Sequence, residues 1–149
     1  MSFMSAKPFL DTNILVYAHD TTAGEKHELA RDLTASLWRS GGGCLSVQVL
    51  QELYVALVRK AAAVTPETAR EVVEAYTHWR LHRPGGSDVV AAIDLHQRQQ
   101  VSFWDAMVVR SAAALGCEQL YSEDLNAGQS LAGVRVVNPF LETPDEKRT

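Results

Sequence analysis

Four short apolar runs punctuate the chain, and the segments between them carry helical spacing rather than strand alternation. The runs are Pro8-Phe9-Leu10, Cys44-Leu45-Ser46-Val47, Leu120-Tyr121 and Val134 to Val137. Runs this short, without a polar residue at every second place, suit strands buried on both faces, which requires helices on each side of the sheet. Between them, Gly24 to Ser40 sets Leu29, Leu33 and Leu37 at steps of four with Trp38 beside them, and Gly41-Gly42-Gly43 stops the helix. After the second run, Leu50, Leu53, Tyr54, Leu57 and Val58 fall on one helical face. Thr65-Pro66-Glu67 supplies a cap, a first-turn proline and an acid at the positive helix end, predicting a helix to about Trp79. Leu81 to Gly86 is expected as a loop, Ser87-Asp88 as the cap of a helix to about Gln99, and Ser102 as the start of one ending at Gly116. This alternation predicts an α/β fold, an α/β/α sandwich around a central, mainly parallel sheet. In such sheets ligands gather beyond the carboxyl ends of the strands.

A chain of 149 residues is expected to form a single domain over residues 1–141, with a polar, flexible tail from Glu142 to Thr149. With 46% hydrophobic and 21% charged residues it is neither disordered nor fibrous. No apolar run reaches the roughly 18 residues of a membrane span, and Met1 to Pro8 lacks a signal-peptide core, so a cytoplasmic protein with no membrane partner is expected. The net charge of -4 argues against holding nucleic acid by bulk positive potential. Local help could come from Arg80, His82 and Arg83, or from bound metal that inverts the sign of a carboxylate site. Cys44 and Cys117 lack ligand spacing and read as buried thiols. The five histidines, His19, His27, His78, His82 and His96, show no metal spacing and read as surface residues.

The informative residues are acids. Asp11 ends the first strand, and Asp124 follows the strand carrying Leu120 and Tyr121, so both belong at one rim of the sheet, although each could equally be a helix cap or turn former. Asp105 shares a helical face with Val108, Val109 and Ala112, an odd place for an ionised group, since burial of an unpaired carboxylate costs several kcal/mol. A capping box with Ser102 would also explain it. Glu52 points away from the Leu50, Leu53, Leu57 stripe and by itself reads as a solvated residue, raised only by lying early in the helix after the second strand. Trp104 and Phe103, beside Asp105, could stack on a base, but buried packing is the commoner use of such rings.

Taken together, FLDTNILVYAHD, LSVQVLQELYVAL, SFWDAMVVRSAAALGC and LYSEDLNAGQ followed by VRVVNPF resemble a PIN domain, and more narrowly the VapC-type toxin ribonucleases of toxin-antitoxin pairs. The four stretches span nearly the whole chain in the family's order. The resemblance implies a PIN-like α/β/α sandwich and a metal-dependent endoribonuclease that hydrolyses RNA phosphodiester bonds with metal-activated water. It implies metal-binding, catalytic acids at Asp11, Glu52, Asp105 and Asp124, with Asn13 and Ser122 orienting them. It implies RNA as substrate, a cognate antitoxin protein as inhibitor, and a homodimer. Some relatives carry a further acid after the last one, where Leu125 and Asn126 stand here. Carboxylate ligands suit Mg²⁺ or Mn²⁺, hard cations that prefer oxygen, far better than zinc. Two other readings remain open: a non-catalytic PIN-like RNA-binding or regulatory domain, and a phosphoryl-transfer protein with an aspartyl nucleophile, against which Asp11-Thr12-Asn13 lacks the second acid of a DxD motif.

Overall fold

The computed structural model describes residues 7–60 and 64–141, so the expected tail from Glu142 lies outside the described residues. The elements, in order, are β1 (Phe9–Leu10), α1 (Thr12–His19), α2 (Glu25–Arg39), β2 (Cys44–Ser46), α3 (Val47–Lys60), α4 (Pro66–Tyr76), β3 (Arg80–His82), α5 (Gly86–Arg98), α6 (Phe103–Ala114), β4 (Gln119–Tyr121), β5 (Ser130–Leu131) and β6 (Val134–Val137). The strands form one sheet in the order β3-β2-β1-β4-β6-β5. All neighbours pair in parallel except β5, which runs antiparallel to β6 at the edge. The expected α/β architecture with a mainly parallel sheet is therefore present.

Phe9 and Leu10 of β1 are fully buried, because β1 lies mid-sheet with helices on its faces. Phe9 sits opposite Cys44 on one side and Leu120 on the other. From β1 the chain builds outward through β2 to β3, then returns to lay β4 on the opposite flank of β1. The sheet's direction of winding reverses between β1 and β4, which makes that crevice the switch point where α/β sheets bind ligands. Helix α1 packs on α2 and α3, α3 packs on α4, and α6 packs on α5 and against β2, β3, β4 and β6. The two cysteines are buried free thiols, as expected.

Several local expectations need correction. Leu81 and His82, at the start of the expected loop, instead form a strand with Arg80: its side chains are exposed or half-buried and carry no apolar run, and pairing to β2 at Cys44, Leu45 and Ser46 makes it one. Helix α5 is capped by Gly85, not Ser87-Asp88, and the Asp88 carboxylate accepts the Gly85 amide at 2.8 Å. Helix α4 ends at Tyr76, leaving Trp79 beyond it with its ring 4.9 Å from that of Tyr76. Leu29, Tyr54 and Val58 are exposed despite their helical stripes. Three of the five histidines are half-buried rather than on the surface: His19 meets the Tyr76 hydroxyl, His27 the Tyr17 carbonyl, and His82 the Ser111 hydroxyl.

The turn into β2 has no room for a side chain. Gly42 has φ +101°, and a Cβ there would stand 2.8 Å from Trp79 Cδ1, inside a core ring. Gly116, closing α6, also has positive φ but would meet nothing within 4 Å. Gly42→Ala should therefore cost more than about 2 kcal/mol in urea unfolding, and Gly116→Ala only about 1 kcal/mol, since the second carries the backbone penalty without the clash.

Candidate active site at the sheet switch point

The site is built where β1 and β4 end. The β1–β4 ladder continues one step past the strands, the Asp11 amide donating to the Tyr121 carbonyl at 2.9 Å, and this sets Ser122 beside Asp11. The Ser122 hydroxyl donates to Asp11 Oδ2 at 2.8 Å, while the Thr12 amide donates to Oδ1 at 2.8 Å, making Asp11 the N-cap of α1. The same Ser122 oxygen accepts the amides of Asp124 and Leu125 at 3.2 and 3.4 Å, holding the turn after β4. Asn13 completes the link: its Nδ2 donates to Asp124 Oδ2 at 2.9 Å and its Oδ1 accepts the Glu123 amide at 3.2 Å. Both residues expected to orient the acids thus touch them.

Two further acids arrive from the helices. Glu52 is half-buried rather than solvated: Oε1 accepts the Thr12 hydroxyl at 2.9 Å, and Oε2 the Gln48 amide at 3.3 Å. Asp105, in the first turn of α6, is half-buried, and its amide donates to the Ser102 hydroxyl at 3.1 Å. Thr12 and Gln48 were not singled out in the sequence. Their signals are weak but real, Thr12 lying beside Asp11 and Gln48 four residues before Glu52 on one helix face. Glu123, between Ser122 and Asp124, turns away to a separate network, accepting from the Tyr17 hydroxyl at 2.8 Å and pairing with Lys26.

Electrostatically the site is unbalanced. Burial pushes the Asp11 carboxyl up to about 6; the bonds from Ser122 and Thr12 oppose this, and the charges of Asp105 and Asp124 add to it. Burial also raises Asp105, against the Ser122-like help of Ser102, and the charges of Asp124 and Glu52 push it further. Among the described residues, every hydrogen bond to the carboxylates of Asp11, Glu52, Asp105 and Asp124 comes from a neutral donor, and none of them forms an ion pair. As the side chains stand, no three histidine, cysteine, aspartate or glutamate side chains among the described residues converge on one metal position. The donor chemistry nevertheless fits a hard divalent cation: carboxylate oxygens raising one another's proton affinity, with no sulfur or imidazole among them. A groove of about 310 Å³ opens over Thr12, Asn13, Glu52 and Asp124, with Lys60 of α3 at its side.

A family model described as PIN domain matches residues 9–129, a span that contains all four acids. The chain belongs to the PIN-domain family. Solved structures share the fold at low sequence identity. A toxin-antitoxin complex from Klebsiella pneumoniae matches with TM-score 0.64 and 18% identity, covering 89% of this chain and 97% of that one. VapC20 of Mycobacterium tuberculosis, a sarcin-ricin loop cleaving toxin, matches with TM-score 0.58 and 20% identity, over 78% and 88%. DNA-bound VapBC from Salmonella typhimurium matches with TM-score 0.60 and 19% identity, over 88% and 96%. No curated protein matches with significance. No helix among the described residues is long and apolar enough to cross a membrane.

An acid whose pKa is higher folded than unfolded takes up a proton on folding, so the Asp11 contribution is fully present below pH 3.8 and lost as pH rises through about 6. The rise from 3.8 to about 6 corresponds to at most about 3 kcal/mol. In EDTA at pH 7.5, Asp11→Asn should therefore be more stable than the parent by up to about 3 kcal/mol, and the gap should close as pH falls toward 4, read by denaturant unfolding across pH.

Proposed function

We propose that this chain is a VapC-type toxin: a metal-dependent endoribonuclease that hydrolyses RNA phosphodiester bonds and is restrained by a cognate antitoxin. The observation that carries the proposal is the gathering of Asp11, Asp105, Asp124 and Glu52, without an ion-pair partner among the described residues, at the switch point, with Asp11 raised by its burial and further by the charges of Asp105 and Asp124. A protein gains nothing in stability from such an arrangement, and it is explicable as a site for positive charge. The relatives that share the fold point the same way, one being a toxin that cleaves the sarcin-ricin loop and others being complexes of toxin with antitoxin.

Asp11, Asp105 and Asp124 would hold Mg²⁺ or Mn²⁺, with Glu52 ligating directly or through water. A bound divalent ion would supply a more acidic water and offset charge on the scissile phosphate. The chain's own residues prepare for this. Ser122 and the Thr12 amide leave Asp11 no freedom to rotate, Asn13 steers Asp124, and Thr12 and Gln48 hold the two oxygens of Glu52. Lys60, beside the groove, would meet a phosphate rather than the metal. A second open groove of about 310 Å³ runs along α3 past Val55, Ala56, Arg59 and Lys60, beside the exposed Tyr54 and Val58, and suits an antitoxin segment laid next to Glu52. A homodimer and a cytoplasmic site of action complete the proposal.

The alternative, a non-catalytic PIN-like domain, draws on the spread of the acids, since no three converge on one position as they stand. The two readings part in one experiment. Purified protein is offered structured RNA, unstructured RNA and single-stranded DNA with Mg²⁺, Mn²⁺ or EDTA. Metal-dependent RNA cleavage is expected, lowered at least about 100-fold by Asp11→Asn or Asp105→Asn, and about 10- to 100-fold by Asn13→Ala or Ser122→Ala. Mn²⁺ should also raise the Tm of the parent but not of Asp11→Asn. RNA cleavage unchanged in EDTA, or unaffected by both acid substitutions, would overturn the proposal.

A further inference from the structure

Trp104 is 63% exposed, the most exposed large apolar side chain among the described residues, and not the packed ring its sequence context led one to expect. It immediately precedes Asp105 on α6, so a group resting on it lies next to the carboxylate site. Phe103 braces it edge-on, ring centroids 5.0 Å apart at 69°, and is itself half-buried against Ala92, Ala106 and Met107. The indole is held in place without being covered. Together with Arg83, Pro84, Gln48, Gln51 and Met107 it walls an open groove of about 410 Å³. Arg83 is exposed and has no ion-pair partner among the described residues. Gln48 ties this groove to the acids, its Nε2 donating to Glu52 Oε2 and to the Trp104 carbonyl at 3.3 Å each, while its Oε1 is buried with no partner.

A flat exposed π-face, an unpaired guanidinium and the exposed Gln51 side chain match a single nucleotide: a plane to stack, a phosphate to pair and a polar base edge to read. We propose that Trp104 and Arg83 form a nucleotide subsite, in which an unpaired base of the RNA stacks on the indole while an adjoining phosphate pairs with the guanidinium. The subsite positions the strand beside the bond held at Asp11 and Asp105, and it favours substrates cut within loops or single strands. An apolar protein segment is the poorer match, because it would leave the Arg83 charge without a partner. This inference rests on the ribonuclease reading above.

The test couples the ring to a base. Parent, Trp104→Ala and Trp104→Phe are compared on a single-stranded oligoribonucleotide and on copies carrying one abasic position at a time, reading binding by fluorescence anisotropy with Ca²⁺ and single-turnover cleavage with Mn²⁺. Trp104→Ala is expected to weaken binding roughly 5- to 150-fold, the range of a lost base–aromatic stack, with Trp104→Phe recovering most of it. At one position the abasic substitution should weaken the parent but not Trp104→Ala. Arg83→Gln should weaken binding across sequences and flatten its salt dependence. Equal binding and cleavage by parent and Trp104→Ala at every position would overturn the subsite while leaving the ribonuclease reading intact. The same is true if Trp104→Ala loosens only the antitoxin complex, which would make the groove a protein surface. A parent that neither binds nor cuts RNA would overturn both.

Discussion

One buried carboxylate organises the molecule's functional edge. Asp11 is 5% exposed, yet it carries a group whose ionised form is expensive to bury, and the fold accepts this because both its oxygens are satisfied by groups the sheet itself delivers. The Asp11 amide extends the β1–β4 ladder to Tyr121, and that one bond decides that residue 122 lies against residue 11. Ser122 then uses one oxygen three ways, as donor to Asp11 and as acceptor for the amides of Asp124 and Leu125. Shift the register of β4 by one residue and the carboxylate loses its donor, the turn loses its anchor, and Asp124 no longer meets Asn13.

The other acids follow from parallel topology. A helix that leaves a parallel strand begins at the carboxyl edge, and a helix that feeds one also has its amino end there. So α1, α3 and α6 all point their amino ends at this rim, bringing Asp11 as a cap, Glu52 in the second turn and Asp105 in the first. The positive ends of helices ease such crowding, but each interaction is worth only about 0.3–1 kcal/mol. Against desolvation of several kcal/mol for a buried ion the helix ends are too weak, which is why Asp11 remains raised to about 6. On the proposed reading, a bound divalent cation would offset that imbalance.

Much of this was legible before any coordinate. Strand–helix alternation gave the sheet, and the order of four acidic stretches gave the family, because both depend on local pattern. What stayed hidden depends on tertiary partners. β3 has no strand signal of its own, being polar and half-exposed, and exists because β2 offers it a ladder. Glu52 looked solvated because helical periodicity describes only the helix's own core face; it cannot show that Thr12, forty residues earlier, stands across from it. The histidines were misread for the same reason, His82 lying between Ser111 and Asp88 where no sequence spacing could reveal it. Trp104 failed in the opposite direction, since a large ring beside a buried stripe ordinarily joins it.

The charge balance explains how an acidic protein could serve a polyanionic substrate. Of the basic residues, Arg110 is bound to Asp88 and Lys26 to Glu123, so neither is available to a phosphate without breaking a contact, and Arg80 is bound to the Leu115 carbonyl beyond the far end of α6. Arg59, Lys60 and Arg83 remain, the first two bordering the grooves along α3 and the last the groove beside Trp104. Helix α3 connects those grooves, with Gln48 near one end and Lys60 at the other, about 18 Å apart along the helix. On the proposed reading a strand would run beside α3, meeting a cation at each end and the metal-bearing carboxylates between. Attraction of this kind is local and tied to position, so it aligns a strand without the broad positive potential that would also hold every other nucleic acid.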